Sequence, residues 1–211
     1  MEPGTLILTF IGLLLALSVH EASHALAAWK LGDPTARDLG RITLNPLVHI
    51  DPIGTILLPL VAFSLNAPII GWAKPVPVDM RYFKDARRDF MWVALAGPAS
   101  NLVLALLSSI VLRALPYLPV TAGTIDVLTP LFIFAQTFLY LNVLLAVFNM
   151  IPVPPLDGSN VVAALLPAPL ARSWDSLRPY GIFVLYGLMF TGVLRMLIGP
   201  PSAFLTRLLL L

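Results

Sequence analysis

The sequence predicts an all-α polytopic membrane protein, with about four full transmembrane helices, one re-entrant segment and short membrane-associated β-strands. Three observations carry this. The 211 residues are 58% hydrophobic and only 11% charged, whereas a soluble domain averages about 25% charged. Long apolar runs recur at 5–30, 91–115, 129–150 and 180–198. Ten of the thirteen basic residues lie outside those runs. The length suits one domain, 1–211, with a core at about 5–166 and a C-terminal helix at 180–198. The chain has no cysteine, which excludes a disulfide framework, a thiolate nucleophile and a Cys-ligated metal.

The first element, residues 5–30, is about 39 Å long as a helix, enough to cross a bilayer with tilt. Met1-Glu2-Pro3 offers no basic n-region, so the run reads as a retained helix and not as a signal peptide. Gly32-Asp33-Pro34 ends it. Residues 36–44 alternate loosely and predict a short strand, and Val76 and Val78, behind Pro75 and Pro77, predict a second. Between them, residues 53–71 are apolar but interrupted by Gly54, Pro59, Asn66 and Pro68, too broken for a clean crossing. The next span, 91–115, opens with Gly97-Pro98-Ala99-Ser100-Asn101, small residues that permit close helix packing. Thr129-Pro130 reads as an N-cap with proline at the first helical position, starting a span that runs to Met150 and carries Gln136, Asn142 and Asn149. Polar groups on such a span should face protein, not lipid. Three prolines within 152–155 then stop the helix, and a short helix follows at 159–166. The last span, 180–198, ends at Gly199-Pro200-Pro201, and residues 202–211 are expected along the interface.

His20-Glu21-Ala22-Ser23-His24 lies on the first span. Residues four apart share a helix face, so the two imidazoles can bind one tetrahedral Zn²⁺. Glu21 is then the general base that takes a proton from the zinc-bound water. A carboxylate in the middle of a membrane helix costs about 2.5–3.5 kcal/mol, so it is kept there for a function. Asp157 lies in irregular backbone after the prolines. Such backbone is tolerated at membrane depth only where it lines a cavity or is buried in protein, and Asp157 is the natural third ligand. One zinc ion per chain is expected. His49 reads as a loop histidine or as an additional ligand.

Placing residues 30–90 and 152–179 on one side gives that side ten basic residues against three on the other. The positive-inside rule then puts both termini outside and the zinc site towards the cytoplasmic side of the cell membrane. This requires residues 53–71 to dip in and return.

These residues resemble the site-2 protease family of intramembrane zinc metalloproteases. His20 to His24, Gly97-Pro98 with Asn101, and Asn149 to Asp157-Gly158 look like its three signatures. Gly40 to Gly54 and Gly71 to Val78 resemble its small bacterial branch, which lacks PDZ and CBS domains. The resemblance implies that His20, His24 and Asp157 bind zinc and that Glu21 is the catalytic acid/base. Asn149 and Asn101 become candidates for oxyanion or substrate-backbone contacts. The implied substrate is a single-pass membrane protein, cut in or near its transmembrane segment. An unwound substrate backbone needs partners, and pairing to an edge at 40–44 or 74–79 is expected to supply them. The lipid bilayer is a partner and nucleic acid is not. The alternative is a membrane zinc-binding transporter or receptor without proteolytic activity.

Overall fold

In lipid a chain must satisfy its own backbone polar groups, and a helix does so within one segment. The computed structural model describes residues 3–64, 71–119 and 121–211. In chain order the helices are α1 (Pro3–Lys30), α2 (Thr35–Asp38), α3 (Leu58–Ser64), α4 (Ala86–Ala114), α5 (Ala122–Asn149), α6 (Asp157–Leu165), α7 (Ala168–Asp175), α8 (Gly181–Phe190) and α9 (Val193–Leu210). Among the described residues, α1, α4, α5 and α9 are the four long and apolar enough to cross a membrane.

Helices α1, α4 and α5 pack mutually, and α9 closes on α4 and α5. The sequence of α1 shows why. Gly12, Ala16, His20, His24 and Ala28, four apart, are all buried on one stripe. Small residues above and below the histidines let neighbouring backbones approach. On α4, Ala94, Gly97, Pro98, Asn101, Ala105 and Ser108 form the answering stripe. Ala105, Leu139 and Val143 make the apolar centre between α4 and α5, with Leu205 and Leu209 of α9 against it. Both the Ser109 hydroxyl and the Arg113 guanidinium donate to the Leu209 carbonyl. The chain's C-terminus therefore lies at the far end of α4.

Helix boundaries differ from expectation: α4 already starts at Ala86, not 91, and two other spans shift further. The helix carrying Asn142 starts at Ala122, not at Thr129-Pro130. The Thr124 hydroxyl accepts the Thr121 N–H at 2.7 Å, a local cap, and Pro130 is accommodated inside the helix. The fourth span is 193–210, not 180–198. Gly192, at φ 77°, breaks the chain between α8 and α9. Pro200 and Pro201 then lie inside α9 instead of ending it, and residues 202–210 belong to the span. At ten residues α8 is about 15 Å long, too short to cross. It packs Leu185 against Ile151, Leu156 and Leu194, bracing the loop before α6.

Neither expected strand forms, and the described residues contain none. Residues 40–44 make a turn and bends, and residues 71–79 are irregular. Pro75 and Pro77 lack the N–H a ladder needs, and the carbonyls of Lys74 and Pro75 are taken by a side chain. The guanidinium of Arg41, 5% exposed, donates to both, at 2.5 and 3.3 Å. Asp33, fully buried, accepts the Thr35 N–H at 2.9 Å and the Asp79 N–H at 2.7 Å. The residue that ends α1 thus also clamps the later loop to it. Arg41→Ala removes two charge-assisted bonds, each worth about 1.5–3 kcal/mol. Amide exchange at Lys74, whose N–H donates to the His49 carbonyl, should then accelerate at least tenfold in hydrogen-exchange measurements, while α1 stays protected.

Of the predicted re-entrant segment, residues 65–70 lie outside the described residues. Its two ends meet. The Trp72 N–H donates to the Gly54 carbonyl at 3.2 Å, and the Thr55 hydroxyl donates to the Trp72 carbonyl at 2.8 Å. A side chain at position 54 would collide with the Trp72 indole.

Candidate metal centre

Helix α1 places His20 and His24 one turn apart, 4% and 8% exposed, with their rings edge to face at 4.6 Å. The third group arrives on α6. Asp157 is the first residue of that helix, where the N-terminal end favours a negative side chain. Gly158 makes the approach possible, because a Cβ there would strike the Met150 and Ile151 carbonyls. Arg87 fixes the far end of α6 to α4 by donating to the Ala163 and Leu166 carbonyls. Gly97 of α4 faces both imidazoles.

The three expected ligands converge. The two Nε2 atoms are 3.0 Å apart, and Asp157 Oδ2 lies 3.2 Å from His20 Nε2 and 3.4 Å from His24 Nε2. The other ring nitrogens are engaged. His24 Nδ1 is 2.7 Å from the Val93 carbonyl, which can only accept, so this nitrogen carries the proton. His20 Nδ1 is 2.6 Å from the Asn101 side-chain oxygen. Both Nε2 atoms therefore present lone pairs. Asp157 Oδ2 is buried and has no hydrogen-bond donor. A single extra proton would satisfy one of these contacts; a divalent cation satisfies all three. Two neutral imidazoles and one carboxylate are a zinc donor set that leaves a coordination position for water or substrate.

Glu21 follows the first ligand and is half-buried. His49 stays apart from this cluster. Its Nε2 donates to the Thr43 carbonyl at 2.9 Å, and among the described residues only His20, His24 and Asp157 group as metal ligands. Asn101 meets His20 at the nitrogen opposite the converging lone pairs, and its amide donates to Asn142 Oδ1 at 2.8 Å. Asn149 is half-buried and donates to the Leu145 carbonyl of its own helix at 3.0 Å.

Sequence reasoning did not assign Asn142 or Gly97 to the centre. The available signal for Asn142 was an amide two turns before Asn149, hence on the same face of an otherwise apolar helix. The Val93 carbonyl carries no side-chain signal at all.

No family model matches the chain, and no solved structure matches it. Curated proteins do. The chain is 37% identical over 185 residues to "Putative zinc metalloprotease YwhC" of Bacillus subtilis, covering 86% of this chain and 79% of that one. It is 32% identical over 193 residues to "Putative zinc metalloprotease Rip2" of Mycolicibacterium smegmatis, covering 91% and 70%. Against Rip2 of Mycobacterium tuberculosis it is 31% identical over 187 residues, covering 88% and 66%. With a His-His-Asp centre assembled on a polytopic helical scaffold, and with likeness to these proteins over most of its length, the chain belongs to the site-2 protease family of zinc metalloproteases.

Proposed function

We propose that this protein hydrolyses a peptide bond in or near the transmembrane segment of a single-pass membrane protein, at a zinc site towards the cytoplasmic side of the cell membrane. The observation that carries the reading is the convergence of Asp157 of α6 on His20 and His24, which flank Glu21 on a helix long enough to span the bilayer. Bound zinc lowers the pKa of a coordinated water towards about 7 and polarises a carbonyl. Glu21 accepts the proton of the attacking water and returns it to the leaving amine. His20, His24 and Asp157 would hold the ion. The donor set supports hydrolysis over carriage, because a carrier needs ligands but no base, and a structural site would close with a fourth protein ligand.

Depth and orientation follow from the chain. His20 lies about 26 Å along α1, past the middle of that helix. The strongly basic segments 30–90 and 152–179 flank this end, which supports a cytoplasmic placement. The pairing of Trp72 with Gly54 supports a segment that enters and leaves on one face. A substrate helix must unwind before its peptide bonds are accessible, and its freed backbone needs partners; of the two expected edges, the irregular 74–79 stretch, whose Val78 packs against the cluster of Ala28 of α1 and Val93 of α4, is the candidate partner, through the carbonyls and N–H groups its prolines leave. The test is metal analysis of the purified protein alongside cleavage of a membrane peptide whose helix carries a destabilising Asn-Pro. One zinc per chain and chelator-sensitive cleavage within the apolar stretch are expected. Stoichiometric zinc with no cleavage, in the presence of several such peptides, would favour the carrier reading.

A further inference from the structure

The interior of the bundle holds a chain of hydrogen bonds whose direction is set at one end by a group that can only accept. The Phe138 carbonyl lies 2.8 Å from the Asn142 side chain, so the atom facing it is the amide nitrogen. Asn142 then presents its oxygen to Asn101 at 2.8 Å, and Asn101 must answer with its own nitrogen. The same nitrogen has the Ala16 carbonyl at 3.4 Å, a second acceptor in the same sense. The Asn101 oxygen is thereby turned to His20 Nδ1 at 2.6 Å, and the imidazole must carry its proton there. A neutral imidazole holds one such proton, so Nε2 is left with a lone pair. Both asparagines are 0% exposed, and an amide turned over in that interior would face an acceptor with an acceptor.

We propose that Asn142 is a positioning residue for the metal centre. By holding the Asn101 amide in one orientation across α5 and α4, it keeps His20 in the Nδ1–H tautomer and its Nε2 available to zinc. The two histidines are thus set by different devices. His24 leans on a main-chain carbonyl that no substitution removes, whereas His20 depends on two side chains, neither of which touches the ion. The proposal rests on reading the centre as a zinc site.

In Asn142→Leu the Asn101 nitrogen loses its nearer acceptor, and the amide is free to turn. Turned, it donates to His20 Nδ1, the imidazole proton moves to Nε2, and the metal-binding lone pair is lost. Outer partners of metal-bound histidines typically contribute about 10–100-fold in metal affinity, so zinc affinity should fall about tenfold. Asn101→Asp supplies the remedy. A carboxylate has two accepting oxygens and no wrong orientation, so adding it to the Asn142→Leu background should return His20 to Nδ1–H and restore affinity to within about threefold of wild type.

The measurements are zinc affinity by chelator competition on the full chain in micelles, and ¹⁵N imidazole shifts of the metal-free protein above the imidazole titration range. The chain has three histidines, few enough to assign. Wild type should show His20 as Nδ1–H, Asn142→Leu a mixture of tautomers with weakened zinc, and the double variant recovery of both. A wild-type His20 protonated at Nε2 overturns the proposal, and this reading needs no variant to fold. So does an Asn142→Leu protein with unchanged tautomer and affinity, or a double variant as weak as the single one, which would make the loss one of packing. Wild-type protein that binds no zinc overturns the metal reading instead, and the two failures are distinct because the spectrum requires no metal.

Discussion

Replacing Glu21 by glutamine should leave the zinc content at one per chain and slow peptide hydrolysis by about 10³-fold. General acid–base groups contribute about 10²–10⁴-fold, and Glu21 is asked to act twice, on the attacking water and on the leaving amine. Glutamine keeps the shape and polarity of the side chain but cannot accept the proton. It takes nothing from the ion, because the donor atoms lie on His20, His24 and Asp157. Zinc by metal analysis and single-turnover cleavage should therefore separate. Loss of both would make Glu21 a ligand or a folding determinant; retention of cleavage would remove it from the chemistry.

The second large effect is expected at Gly97. A Cβ there would run into His24 Nε2 and come within 2.6 Å of His20 Cε1. Gly97 is buried in α4, with no room for the helix to retreat while it carries both Asn101 and the Val93 carbonyl to their histidines. The imidazoles must move, and metal sites tolerate ligand displacements of only about 0.2 Å. Gly97→Ala should lower zinc affinity by about 10²-fold or more and abolish turnover at limiting metal. Ala99→Ser, two residues on and exposed, should change neither. Wild-type zinc affinity in Gly97→Ala would mean that the bundle yields where the geometry says it cannot.

Much of this was legible beforehand, for identifiable reasons. The histidine pair and its glutamate are local, since helix periodicity alone places them. Asp157 was legible by elimination, as a carboxylate in backbone that lipid would not accept. Four helices are long and apolar enough to cross, as expected, but the fourth lies a dozen residues beyond its expected place. Proline is a helix breaker by rule, but here Gly192 does the breaking and the prolines at 200–201 are carried inside α9. The same reasoning put the start of α5 at Pro130 and missed the Thr121–Thr124 cap. The strands failed because alternation in 36–44 and 74–79 speaks of side chains, while the outcome was decided by Arg41 claiming the carbonyls. The contact of the Asn101 side-chain oxygen with His20 Nδ1 has no local sequence signal, because the partner that takes its amide nitrogen, Asn142, is contributed by another helix.

The donors of the centre are separated by about 130 residues of chain, the histidines near the beginning and Asp157 in the last third. During synthesis the first helix is threaded into lipid long before its carboxylate partner leaves the ribosome. Until then the histidine pair has no third donor, and an ion held by two imidazoles alone is weakly retained. The three-donor set is therefore complete only when α6 docks, and the proposed activity has to wait for that step.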